Sequence, residues 1–500
     1  MDSVEAQLDP RICGRARLAR DPRFDGRFFI GVTSTGIYCR PICPSPTARR
    51  LNVRYFPSAA AAAEAGFRPC LRCRPETAPG SPAWNGTSAT VSRGLRLIAE
   101  GALDADSVET LAARLGVSAR HLHRLFLQHL GAPPIAVAQT RRLHFAKQLV
   151  SDTGLPMTQV ALASGFQSLR RFNDIFQKLY GRTPSELRRL GKTASPGTER
   201  NEYVFRLAYR PPYDWDALLA FLAARATPGL EEVAQGRYRR SIVLKAQHGV
   251  LEVRLVKHTH ALEARIRFPE PACLLQIVTR VRAMFDLAAD PAVIAQHFKH
   301  DALLGSLVKR HPGLRVPGAW EGFELAVRAV LGQQVTVRGA TTLAGRLAQA
   351  YGEPLAFTDS GSLCRTFPTA EILANAKLKG MPVSRVRSIR TLAQAVVAGD
   401  LDFDTSVPDD SFRDQFTHIS GIGDWTAQYV AMRAFNEPDA FPASDLVLLR
   451  TAGGGKALTL AALLKRAEAW RPWRAYAAMY LWRSAADLPA KHRKPVKAKR

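Results

Sequence analysis

The sequence predicts a multidomain, mainly α chain: a small α/β head built around clustered cysteines, a tandem helix-turn-helix middle, a mixed αβ domain and an all-α rear. Three observations predict it. The 500 residues exceed what one hydrophobic core holds, so roughly three or four domains are expected. Four of the seven cysteines, Cys39, Cys43, Cys70 and Cys73, fall in two short pairs. Two stretches, LAARLGVSARHLHRLFLQHLG (Leu111–Gly131) and VALASGFQSLRRFNDIFQKLYG (Val160–Gly181), repeat small residues, a central glycine, a polar cap and an apolar-periodic helix.

Composition shifts set the boundaries. TAPGSPAWNGTS (Thr77–Ser88) and GKTASPGTE (Gly191–Glu199) are rich in Pro, Gly and Ser and read as linkers; KHRKPVKAKR (Lys491–Arg500) reads as a disordered basic tail. The expected domains are 1–80, 88–191, 200–285 and 286–490. SIVLKAQHGVLEVRLVKH (Ser241–His258) alternates as strands do, and from about Pro291 the pattern turns helical. The alanine run Ala59–Ala63 reads as a short helix.

The net charge of +27 points to a polyanionic partner, nucleic acid or an anionic surface. No apolar run reaches membrane-spanning length and no signal-peptide pattern opens the sequence, so no membrane partner and a cytoplasmic location are expected. Clustered cysteines in a reducing compartment point to metal or thiol chemistry before disulfides.

The spacing Cys39-x3-Cys43, a gap of 26 residues, then Cys70-x2-Cys73 suits a tetrathiolate zinc site, each pair supplying two ligands from one turn. This makes a small zinc-bound α/β head. On spacing alone, a structural zinc is the commoner reading. The context FFIGVTSTGIYCRPICP and GFRPCLRCRPE resembles the N-terminal domain of the Ada family, which repairs methyl phosphotriesters in DNA. The resemblance implies that Cys39 is the methyl acceptor, with Zn2+ holding it as thiolate beside Cys43, Cys70 and Cys73. Methylation would remove one negative charge and ease the approach to phosphate. Pro46 stands near where a family member carries a basic residue; Arg49, Arg50 and Arg54 are the alternative phosphate contacts.

In the middle, Ser118 and Ser168 are the N-caps. Leu122, Leu125, Phe126 and Leu130 form one apolar stripe, and Phe172, Ile175, Phe176 and Leu179 the other. Arg120, His121, His123 and Arg124, then Arg170, Arg171 and Asn173, are left to face outward, where Arg and Asn reach base edges in a major groove. A solvated basic face is the alternative for either helix alone. The stretch from about Ser88 to Leu190, with its GRTPSELRRL ending, resembles the AraC family of transcriptional regulators, which implies operator binding and RNA polymerase as a candidate partner.

The rear carries ISGIGDWTAQYVAMRAF (Ile419–Phe435), in which Gly421 and Gly423 permit a tight hairpin whose N–H groups meet a phosphate at a helix start. With FPASDLVLLR (Phe441–Arg450) and WRPWRAYAAMYLW (Trp470–Trp482), it resembles the helix-hairpin-helix DNA glycosylases of the AlkA 3-methyladenine type, and 201–285 resembles the mixed αβ domain preceding it. The resemblance implies Asp445 as the catalytic carboxylate, Trp425, Tyr429, Trp482 and Gln333 at the base pocket, and Gln334 entering double-stranded DNA beside the flipped nucleotide. It also puts Trp425 where lyase-competent relatives carry a Schiff-base lysine, implying a monofunctional glycosylase. An Asp before LVLLR is equally a helix cap, and an i, i+4 aromatic pair is more often core packing. No PCHR-type stretch occurs, so O-alkylguanine transfer is not expected, and no organic cofactor is. The expected whole is an alkylation-damage response protein that excises alkylated bases, takes methyl groups from phosphotriesters and binds operator DNA. The rivals are a transcription factor with a structural zinc and a non-catalytic glycosylase fold, and a metal or thiol sensor.

Overall fold

Short range and high cysteine content shape the head. In the computed structural model, which describes residues 8–80, 89–104, 106–190, 201–355, 361–403, 410–454 and 456–487, the strands β1 (Phe29–Val32), β2 (Ile37–Cys39), β3 (Val53–Phe56) and β4 (Arg68–Pro69) form one sheet in the order β3-β1-β2-β4. β1 is antiparallel to both neighbours, placing Ile30 opposite Cys39 and Tyr55, while β2 and β4 run parallel. The alanine run does form a helix, Ala59–Glu64, capped by Ser58. Residues 81–88, most of the first expected linker, and 191–199 and the basic tail 491–500 lie outside the described residues.

The chain divides into two compact units, one of Met1–Pro211, Val253–Arg282 and Leu287–Asp290, the other of Pro212–Glu252, Ala283–Asp286 and Pro291–Arg500. In the first unit the head shares its core with the helical middle: Phe29, Tyr38, Phe56 and Phe67 pack with Ala132 and Ala136.

The repeat is reproduced down to the caps. Ser118 and Ser168 accept from the third backbone N–H of their helices, Ala119–Leu130 and Leu169–Tyr180. Both helices stop at a left-handed glycine, Gly131 (φ 68, ψ 12) and Gly181 (φ 67, ψ 11), a conformation only glycine takes without strain. Leu122, Phe126 and Leu130 are buried in one, Phe172, Phe176 and Tyr180 in the other. The helix Pro134–Asp152 joins the halves. The same unit contains strand Glu202–Ala208, antiparallel to Ala261–Arg267.

In the second unit, strand Glu231–Ala234 pairs antiparallel with Arg237–Leu244. The stretch expected as strands at 241–258 holds the end of that strand, a turn with Lys245 and Ala246 at positive φ, and strand Gln247–Val256. The rest is helical. Its core packs Phe323, Val327, Val330, Leu347, Ile389, Leu392, Phe416, Ile422, Ala427 and Val430, and this core fixes the helices Gly322–Leu331, Val383–Ala398 and Asp424–Arg433.

Candidate functional site

Two constellations stand out, one in each unit. In the head, the Sγ atoms of Cys39, Cys43, Cys70 and Cys73 all lie within 4.8 Å of one another. A tetrahedral zinc with metal–sulfur bonds of about 2.3 Å needs sulfurs roughly 3.8 Å apart, so the donor set fits the ion. Each pair sits on a turn: the Cys43 N–H donates to Arg40 O (3.1 Å) and the Arg74 N–H to Cys70 O (3.2 Å). The backbone N–H of Arg40 donates to Cys73 Sγ (3.3 Å). Bonding to Cys39 draws the Cys43 thiol far down and the Cys70 thiol down to about 6. Bonding to Cys43 pushes Cys39 up, and bonding to Cys39 pushes Cys73 up. Cys70 and Cys73 are buried, whereas Cys39 and Cys43 are half-exposed, so the first pair forms the accessible side of the cluster.

The residues beside the ligands hold the head to the helix Pro134–Asp152. Tyr38, fully buried, is hydrogen-bonded through its hydroxyl to His144 Nε2 (2.8 Å). Arg74 donates to Asp152 (2.9 Å) and to Glu76 (3.0 Å), and Lys147 pairs with Glu76 (3.3 Å). Burial raises the Glu76 carboxyl, but Lys147 and Arg74 outweigh it and hold it below its ordinary value. Burial pushes His144 down to about 4. Arg40, next to Cys39, is buried and ion-paired with Asp25. Arg49, Arg50 and Arg54 are exposed, and the Arg54 guanidinium lies 5.1 Å from the centroid of the Phe56 ring.

Of the outward-facing candidates in the middle, Arg120, His123, Arg124, Arg170 and Arg171 are exposed, while His121 and Asn173 are half-buried. Arg124 is hydrogen-bonded to His121 Nδ1 (2.9 Å).

In the second unit, Asp445 draws the rear site together. It is the N-cap of the helix Leu446–Ala452: its Oδ1 accepts from the N–H groups of Val447 (2.9 Å) and Leu448 (3.1 Å). It also receives both indoles, Trp482 Nε1 at 3.1 Å on Oδ1 and Trp425 Nε1 at 3.2 Å on Oδ2. One carboxylate thus serves both the helix start and the two indoles. Trp425 and Tyr429, one turn apart on the helix Asp424–Arg433, stack with centroids 5.1 Å apart and planes 8° apart, and Trp482 meets Tyr429 edge-on at 6.4 Å. Arg433, one further turn along, donates to the Tyr429 hydroxyl (2.7 Å). Burial pushes the Tyr429 phenol up, but Arg433 and Arg225 outweigh it and hold the phenol below its ordinary value. Sequence reasoning missed Arg433, although the spacing Trp425, Tyr429, Arg433 continues the same helix face.

The hairpin before this helix needs glycine at one position. Gly421 has φ +87, and a Cβ there would stand 2.3 Å from Ser388 Oγ. Gly423, the N-cap, has φ −98 and open space around a Cβ. Gln333 is joined to this hairpin: its Nε2 donates to Gly421 O (2.7 Å) and Thr426 Oγ1 (3.3 Å). Gln334 is exposed, at φ 57, in the turn between Gly322–Leu331 and Val337–Tyr351, beside the exposed Val335 and Val337.

Comparison with known proteins decides what the two sites belong to. Residues 12–76 match the metal binding domain of Ada, 111–190 a helix-turn-helix domain and 204–321 the AlkA N-terminal domain. A probable bifunctional transcriptional activator/DNA repair enzyme AlkA of Mycobacterium tuberculosis is 41% identical over 480 residues, covering 94% of this chain and 95% of that one. The chain belongs to that family of bifunctional transcriptional activator/DNA repair enzymes. DNA-3-methyladenine glycosylase 2 of Escherichia coli is 35% identical over 286 residues, covering 56% of this chain and 96% of that one. The bifunctional transcriptional activator/DNA repair enzyme AdaA of Bacillus subtilis is 32% identical over 180 residues, covering 36% and 82%. This family member is therefore a DNA-binding repair enzyme and regulator, and its four-cysteine cluster is a zinc site. No helix among the described residues is long and apolar enough to cross a membrane.

Proposed function

We propose that the rear of this chain is a monofunctional glycosylase that hydrolyses the N-glycosidic bond of 3-methyladenine-type bases, and that Asp445 is its catalytic carboxylate. One observation carries this reading: a single carboxylate, half-exposed among the aromatics, receives four N–H donors, two from a helix start and two from indoles. Such a group is fixed in place before the reaction, the condition for stabilising positive charge as it develops on the sugar. The C1′–N bond breaks with its electron pair leaving on the base, and a water oriented by Asp445 bonds to C1′ and releases a proton. Trp425, Tyr429 and Trp482 offer electron-rich faces to a flipped, electron-poor purine. Gln334 fills the space in the duplex, Gln333 holds the hairpin at Gly421, and the backbone of the hairpin through Gly423 meets a phosphate. Trp425 leaves no amine at the position where a lyase needs one.

The head takes methyl groups from DNA methyl phosphotriesters on Cys39. The ion, held by Cys39, Cys43, Cys70 and Cys73, would keep sulfur as thiolate at neutral pH. The Cys39 sulfur bonds to the methyl carbon, the carbon–oxygen bond breaks, and its electron pair returns to the phosphate oxygen. The half-exposed position of Cys39 supports this assignment. Arg120, His121, Arg124, Arg170, Arg171 and Asn173 read operator DNA, and RNA polymerase is the partner through which an activator acts.

The test is excision from methylated duplex DNA with the released bases identified. Release of 3-methyladenine, leaving an abasic strand intact until alkali is added, is the expected outcome. Borohydride trapping of a covalent complex would overturn the monofunctional assignment. Mass spectrometry after exposure to methyl phosphotriester DNA should find one methyl, on Cys39; a methyl on another cysteine would overturn that part.

A further inference from the structure

Behind the stacked aromatics lies a group of buried and half-buried charges. Four guanidiniums and two carboxylates line a small cavity there: Arg225, Arg240, Arg328 and Arg433 with Glu231 and Glu324. The two carboxylates pair with two of the cations. Arg240 bonds Glu324 at 2.6 Å, and Arg328 bonds Glu324 at 2.7 Å and Glu231 at 2.9 Å. Arg433 is held differently. Its Nε donates to Pro317 O (2.8 Å), its Nη2 to Gly318 O (3.1 Å) and its Nη1 to the Tyr429 hydroxyl (2.7 Å). Two of these are carbonyl oxygens and the third is the phenol oxygen, none of them a carboxylate, and Arg433 is buried. Arg225 donates to Phe221 O (3.3 Å), lies 3.7 Å from the Phe221 ring centroid and faces the same Tyr429 oxygen. Phe221 is thus approached by both cations, Arg433 at 5.1 Å.

Burying guanidiniums against neutral acceptors is costly unless a nearby group takes up negative charge. The acidic group that Arg433 and Arg225 share is the phenol of Tyr429. Its ring also stacks on Trp425, whose indole holds Asp445. The charged groups around that oxygen are Arg433 on its own helix, Arg225 after the helix Trp215–Ala223, Arg328 on Gly322–Leu331 with its partners Glu231 and Glu324, Arg240 paired to Glu324, and Asp445 beyond the two indoles. Four are cations and three are carboxylates, two of which are taken up by Arg240 and Arg328.

We propose that Arg433 and Arg225 make Tyr429 the specificity-determining residue of the base pocket: with its oxygen bonded by Arg433 and Arg225 beside it, Tyr429 works as a phenolate and selects cationic alkylated purines over neutral bases of similar shape. The inference rests on the glycosylase reading above. The O–H proton goes to solvent, the electron pair stays on oxygen, and the guanidiniums keep their protons. Protonated, the pocket wall carries the excess positive charge of two arginines; ionised, it carries one unit less and repels a cationic base less. The selectivity therefore rises with pH as the phenol ionises, and it does so below the ordinary tyrosine range.

The experiment measures single-turnover release of 3-methyladenine, cationic in DNA, and hypoxanthine, neutral, by the full-length protein across pH. In wild type the ratio of the two rates should climb as phenolate appears in the ultraviolet difference spectrum. In Tyr429→Phe, which keeps the ring, the ratio should lose its pH dependence and fall about 10-fold or more, the scale of one charge interaction in a partly screened site. Arg433→Gln keeps a donor but not the charge and should move both the spectral transition and the rise in ratio to higher pH; Arg433→Lys should restore them. A wild-type ratio that is flat with pH, or is unchanged in Tyr429→Phe and Arg433→Gln, would overturn the proposal while leaving the glycosylase reading intact. No base released by wild type at any pH would instead defeat the glycosylase reading itself.

Discussion

The zinc head and the proposed base pocket are built by opposite routes. The head's four donors lie between positions 39 and 73 on two turns, and one ion of fixed geometry draws them together. The pocket's groups lie between 425 and 482 on separate helices, and tertiary packing draws them together, with both indoles hydrogen-bonded to Asp445. A site of the first kind stands or falls on single ligands. A site of the second kind tolerates a lost side chain and pays in rate. The difference gives each region its own mode of failure, and the expected effects scale accordingly.

The largest effect is on the head. Structural zinc contributes roughly 10–16 kcal/mol to folding in small domains, and the head's sheet is only four short strands. Chelation of the metal, or Cys70→Ala, should melt the sheet and release the contacts of Tyr38, Arg74 and Glu76 to the helix Pro134–Asp152. Hydrogen exchange, read together with metal content, checks this. A metal-free head that keeps its protection would show that packing alone suffices.

Next comes Asp445→Asn. Asparagine still caps the helix, so the fold and the affinity for damaged DNA should remain. Excision should fall by on the order of 10²–10³, the usual contribution of a preorganised charge. Near-wild-type excision from a folded variant would reduce Asp445 to a cap. Trp482→Phe sharpens the same point. It keeps an aromatic face but removes one N–H donor from Asp445. A hydrogen bond to a charged group contributes about 1.5–3 kcal/mol, so excision should drop by roughly 10-fold or more while thermal stability changes little. If stability falls and rate does not, the indole serves packing alone.

How much of this was legible in the sequence follows from the same contrast. The cysteine spacing named all four zinc donors because the site is local. The repeat was legible because caps are local too: Ser118 and Ser168 took the expected positions. Asp445 was legible only as an ambiguity between cap and carboxylate, and the structure makes it bond both helix start and indoles. Gln333 was expected at the pocket from resemblance alone, and its hydrogen bonds to Gly421 and Thr426 left no signal, because those partners lie far along the chain. The head's attachment through His144 and Lys147 left no sequence signal beyond two polar residues in a helix, since only the fold brings Glu76 and Tyr38 to them.

The smallest effect separates the two hairpin glycines, which the sequence treats alike. Gly421 is left-handed at φ +87, and an added Cβ would press on Ser388 Oγ, which donates to Ser420 O (2.5 Å) and so braces the same turn. Gly421→Ala therefore meets both a strained backbone and a displaced hydrogen bond, at a cost of about 1–3 kcal/mol. Gly423 has an angle any residue adopts and free space around it; Gly423→Ala loses only part of a modest N-cap preference, less than about 1 kcal/mol. Thermal unfolding and affinity for undamaged duplex should both separate the variants, with Gly421→Ala the weaker in each. Equal losses in DNA affinity without a difference in stability would mean that both positions touch the phosphate directly, and that Gly423 is glycine for the closeness of that approach.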